Sequence, residues 1–215
     1  MNEAPVRVIK ETLLSRAPAR GSLWMALGSL GAAILVSATY WLDLRGVASA
    51  LPATAESVFE KGEYWRLITT MGVHADPRHL VANGIALGVL SFLLYGYFGL
   101  VVHPILTLTL GAIATGLALR TYPPGVGLLG ASGLVYLMAG FWLTLYLLVE
   151  RRLHVGKRLL RALGFGLIVL VPTVWDPSVS YRTHAIGFFA GVAFGVVYFS
   201  KKKQDIRKLE RVEWG

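Results

Sequence analysis

Long apolar runs recur along this chain, and the short flanks between them hold most of its charge. A run of about 20 residues crosses the roughly 30 Å of hydrocarbon in a bilayer. Segments near that length lie at 22–42, 79–98, 100–119, 132–149 and 184–199, with a shorter one, carrying Pro172, at 162–174. Lipid offers no hydrogen bonds to a backbone, so each segment is read as a helix. Composition agrees: of 215 residues, 55% are hydrophobic and 15% charged, too few charges for a soluble domain of this size. The expected fold is an all-α membrane protein, a six-transmembrane-helix bundle over 22–199. Residues 1–21 form an N-terminal segment and 200–215 a basic tail. The first run is long for a signal-peptide core and no clear cleavage site follows it, so it is read as a retained span.

A net charge of +9 would suit a nucleic-acid partner, but its distribution does not. Arg7, Lys10, Arg16 and Arg20 precede the first span. Arg151, Arg152, Lys157, Arg158 and Arg161 follow the fourth, and Lys201, Lys202, Lys203, Arg207, Lys208 and Arg211 end the chain. If six spans alternate, all fifteen fall on one side and six of the 21 basic residues on the other. The positive-inside rule then places both termini in the cytoplasm, as expected of a multi-pass protein of a bacterial-type plasma membrane. The tail reads as a frayed surface helix anchored on the membrane. With no cysteine, thiol chemistry is excluded. No metal or cofactor is expected.

Two connections stand out. The stretch 43–64 is the longest, holds Leu51-Pro52-Ala53 and Val58-Phe59, and is expected to lie partly in the interface. The stretch 120–129 carries Tyr122-Pro123-Pro124-Gly125 and cannot be regular helix.

Polar side chains inside spans are costly, so each needs a reason. His79 and Asn83 are four apart at the start of the second span. Ser132 and Tyr136 repeat that spacing on the fourth, and His184 opens the sixth, followed by Gly187, Gly191 and Gly195. All three spans run outside to inside, which puts these polar residues in the outer third of the bilayer. A serine hydroxyl needs a base to take its proton, and a histidine suffices. His184 is the candidate base, brought near Ser132 by the glycines that follow it. The Ser132 N–H at a helix start, with Asn83 and His79, can donate to an oxyanion. Tyr136 can hold the imidazole where a triad would use an aspartate. No acidic residue lies within a span, so a Ser–His dyad is expected.

Each residue also has an ordinary role. Gly130-Ala131-Ser132-Gly133 is what close helix packing in lipid looks like, Asn83 can be interhelical glue, and membrane-edge histidines are common. His74 is a loop residue that either touches the site or does not, and His103 and His154 read as incidental. The ordinary readings must all hold together, however. A transporter would need polar groups at the midplane, where apart from a few threonines the spans are apolar.

Trp65-Arg66, His74, His79 with Asn83, Gly130-Ala131-Ser132-Gly133, Tyr136 and His184-Ala185-Ile186-Gly187 with Gly191 together resemble the rhomboid family of intramembrane serine proteases, over about 64–199. The resemblance implies Ser132 as nucleophile and His184 as general base. It implies an oxyanion hole of His79, Asn83 and the Ser132 N–H, and Tyr136 stacked on His184. It assigns Gly130 to a flexible loop lining the site and Trp65-Arg66 to bracing the first outer loop. Family members cut transmembrane protein substrates near helix-destabilising residues, admitted through a gate between the second and fifth spans. The outer loop 43–64 is shorter than in many members, and neither a soluble cytoplasmic domain nor a seventh span is expected. A catalytically silent, client-binding relative is the alternative within the same fold.

Overall fold

In the computed structural model, which describes residues 7–170 and 180–214, the apolar runs are helices. Helix α1 is Ser22–Trp41, α2 the short Arg66–Thr69, α3 Pro77–Leu100, α4 Thr107–Leu119, α5 Ser132–Val149, α6 Val155–Leu170 and α7 Tyr181–Lys208. Among the described residues, four stretches are long and apolar enough to cross a membrane, the second being Pro77–Leu119 taken as a unit of 43 residues. At about 1.5 Å per residue a straight helix of that length would overshoot any bilayer. It is broken at Gly99 (φ 77°) and His103. His79 near its start and Thr115 near its end line the same cavity, so the chain doubles back between α3 and α4.

The elements overrun several predicted boundaries. Helix α3 starts at Pro77 because the Asp76 carboxylate accepts the His79 N–H at 3.0 Å and Pro suits a first turn that needs no donor. Helix α6 begins at Val155, ahead of the predicted 162, with Lys157, Arg158 and Arg161 inside it; long basic stems can lie along an apolar helix and keep their heads at its polar end. Residues 171–174 of that predicted segment, with Pro172, lie outside the described residues. Helix α7 continues through Lys201–Lys203 to Lys208, since lysine is a good helix former and leaving the apolar layer does not end a helix.

The terminal flanks are joined. Strand β1 (Arg7–Glu11) pairs antiparallel with β2 (Arg211–Trp214). Beside them the buried carboxylate of Glu210 is held by Arg207 at 2.7 Å and Arg151 at 3.2 Å. Both ends and the α5–α6 connection therefore share one side of the bundle.

Helix α5 is the core. Leu137, Met138, Phe141 and Leu145 are fully buried, and Phe141 stacks on Phe194 of α7 at 4.4 Å between centroids. The α5–α7 seam is backbone against backbone: a Cβ at Gly187 would collide with the Gly133 carbonyl oxygen, and one at Gly191 with that of Leu137. Ridges this close need small residues, as the glycine spacing predicts. The outward faces are apolar, with Leu35, Leu160, Ile168 and Phe189 exposed where lipid would lie. His103 is not incidental. It is buried, its Nδ1 is 2.9 Å from Thr107 Oγ1 and its Nε2 3.4 Å from Ser29 Oγ, tying α4 to α1. His154 is exposed.

Candidate active site

Helices α3, α5 and α7 all begin at the end of the bundle opposite the β1–β2 pair. Their first turns carry the polar residues singled out above. Ser132 is the first residue of α5, so its N–H belongs to the group that has no partner within a helix. It borders a cavity of about 260 Å³ together with His79, Gly130, Thr70, Thr115, Ser180 and Thr183.

His184, only 4% exposed, lies flat on Tyr136, with centroids 4.0 Å apart and planes 13° from parallel. Its Nε2 is buried and makes no hydrogen bond, so the Ser132–His184 bond of a resting dyad is not formed. Asn83, 1% exposed, donates from Nδ2 to the His79 carbonyl at 3.1 Å, while its Oδ1 is buried and unpaired. Neither His184 nor Asn83 lines the cavity. Ser132, His79 and Gly130 thus share one wall, Tyr136 and His184 form a stacked pair, and Asn83 sits one helical turn from His79.

The loop before Ser132 is held from three directions. Gly130 has φ +112°, a conformation that favours glycine, and a Cβ there would lie 2.7 Å from His79 Cε1. Its N–H donates to the Thr70 carbonyl at 3.0 Å, and the Thr70 hydroxyl donates to the Leu128 carbonyl. Leu128 and Ala53 exchange backbone bonds, the Leu128 N–H donating at 2.8 Å, which fastens the loop between α1 and α2 to the site.

His74 supplies the third hold, and sequence reasoning left its place open. The Ala131 N–H donates to its Nε2 at 3.3 Å, so that nitrogen carries no proton; Nδ1 is the protonated one, facing Ser37 Oγ at 3.1 Å and the Gly72 carbonyl at 3.2 Å. Burial, with the neighbouring His79 adding to it, pushes the imidazole down to about 4, so it is neutral at pH 7. A His five residues before His79 is the one sequence signal for this role. Nothing comparable marks Thr70.

Arg66 pins the α1–α2 loop itself. It donates to Glu63 Oε2 at 2.6 Å and to the carbonyls of Ser49 and Pro52 at 2.9 and 3.1 Å, with its guanidinium 5.0 Å from the Trp65 ring. Arg66→Ala strips four loop acceptors and contacts at once. It is expected to cost about 2 kcal/mol, the scale of a hydrogen bond to a charged group, read as a thermal midpoint several degrees lower in detergent.

A membrane-embedded helical bundle that gathers a glycine-flanked serine, a Tyr-stacked histidine and a His/Asn pair at one end matches a known class. The Rhomboid domain model matches residues 61–201, and the chain belongs to the rhomboid family. It is 32% identical over 157 residues to Rhomboid-related protein 2 of Mus musculus; the shared stretch is 66% of this chain and 50% of that protein. The chain therefore spans about half the length of the curated relative it matches.

Proposed function

We propose that this protein is an intramembrane serine endopeptidase that cleaves transmembrane protein substrates near the outer membrane face. One observation carries the reading: the first turns of α3, α5 and α7 meet at Ser132, beside a cavity lined largely by polar residues. In this reading α1, α3, α4, α5, α6 and α7 are the six spans. The paired ends and the α5–α6 connection carry the basic flanks, which favours that side as cytoplasmic. Substrate enters between α3 and α6, where Leu93 of α3 and Ala162 and Phe165 of α6 line one groove.

The chemistry follows. His184 Nε2 takes the Ser132 hydroxyl proton as Oγ attacks the scissile carbonyl carbon. The carbonyl oxygen becomes an oxyanion, met by the Ser132 N–H, Asn83 and His79. Collapse breaks the C–N bond, His184 returns its proton to the leaving amine, and water then hydrolyses the acyl-serine by the same steps in reverse. The unpaired Nε2 is consistent with a resting state in which catalytic hydrogen bonds tighten only with substrate. Asn83→Ala is expected to lower kcat by about 10²–10³ if its amide is an oxyanion donor, with KM little changed, measured on a reporter substrate in proteoliposomes.

The same unpaired Nε2 favours the second reading, a silent client-binding protein. A fluorophosphonate probe separates them. Labelling of the wild type and not of Ser132→Ala supports the protease; no labelling of either supports the binder.

A further inference from the structure

Resting on the protease reading, we propose that Tyr122 is a positioning residue that sets the height of His184 against Ser132 by holding the cap of α7. The cap is Ser180. Its Oγ accepts the Thr183 N–H at 3.0 Å, and its carbonyl accepts the His184 N–H at 3.1 Å, so the first turn that carries His184 hangs on this residue. The same Oγ contacts Thr183 Oγ1 at 2.5 Å and the Tyr122 hydroxyl.

The three contacts can be satisfied together with the hydroxyl protons running either way: Tyr122 to Ser180 to Thr183, or Thr183 to Ser180 to Tyr122, with Ser180 Oγ accepting the Thr183 N–H in both. A second tie runs alongside: Arg182 donates to the Thr121 carbonyl at 2.6 Å and stacks its guanidinium 5.3 Å from the Tyr122 ring. The loop that leads from α4 to Ser132 is therefore fastened to the helix that carries His184. The fastening acts close to the site, since a Cβ on Gly133 would lie 2.8 Å from Thr183 Cγ2. Small axial errors matter here, because His184 must close to hydrogen-bond range of Ser132 for proton transfer.

The test is the rate at which a fluorophosphonate labels Ser132 in wild type, Tyr122→Phe, Ser180→Ala and the double variant, in proteoliposomes well below each thermal midpoint. Tyr122→Phe keeps the ring under Arg182 and removes only the hydroxyl. It is expected to slow labelling roughly five- to tenfold, the scale of one lost hydrogen bond. On a reporter substrate kcat should fall with KM within about twofold. In the Ser180→Ala background the same change should add less than about twofold, because Tyr122 acts through Ser180. Unchanged labelling in Tyr122→Phe overturns the assignment, as does an equal effect in both backgrounds. A wild type that is not labelled at all overturns instead the protease reading on which it stands.

Discussion

Under the proposed protease reading, Ser132→Ala is expected to abolish cleavage of a transmembrane reporter, lowering kcat by roughly 10⁵–10⁶, the loss typical when a nucleophile that works as a unit with its base is removed. The fold should survive, because Ser132 is half-buried at a cavity wall and loses one oxygen there. His184→Asn is expected to cost as much and to keep a planar group against Tyr136, whose stacking otherwise loses its partner. The double variant should be no worse than either single one, since a nucleophile without its base and a base without its nucleophile are equally idle. Product fragments read by mass spectrometry, with thermal midpoints alongside, check both. Cleavage by Ser132→Ala at the wild-type rate would sink the protease reading.

How much of this was legible in the sequence depends on range. The helices were, because spanning lipid imposes a run length that no packing context overrides. So was the gathering of His79, Ser132, Tyr136 and His184 at one end of the bundle, because polar groups in spans stand out and alternate spans run the same way. The Tyr136–His184 stack needed only the four-residue spacing from Ser132 and a close α5–α7 seam. Boundaries were less legible, since the charges of α6 and of the end of α7 mark where lipid stops and not where helix stops.

Long-range backbone bonds left no sequence trace. Ala53 against Leu128, Thr70 beneath Gly130 and β1 against β2 are contacts between groups that every residue carries. His74 and His103 were undervalued for a related reason: their roles rest on partners such as Ser37, the Ala131 N–H and Ser29 that only the fold brings near. The Tyr122–Ser180–Arg182 fastening is of the same kind. It joins the stretch 120–129, which sequence marks only as irregular, to the cap and first turn of α7.

The second large effect is expected at the α5–α7 seam, from Gly191→Ala. The added methyl would collide with the Leu137 carbonyl oxygen and lie 2.9 Å from the Phe141 amide nitrogen. These are backbone atoms of the most buried helix, so no rotamer change relieves the overlap and α7 must move as a body. Overpacking of this kind costs up to about 3 kcal/mol, or roughly 6–12 °C of thermal midpoint for a chain of this size. Gly164→Ala in α6 is the matched control, because nothing lies within 4 Å of its Cβ position; in a helix interior it should be neutral or slightly stabilising. Displacing α7 also moves His184, seven residues before Gly191 on the same helix, away from the first turn of α5. Fluorophosphonate labelling of Gly191→Ala should therefore fall even well below its midpoint, whereas Gly164→Ala should label like the wild type. Equal midpoints for the two variants would mean that the seam has room for a methyl, and that the glycines are not what brings His184 to Ser132.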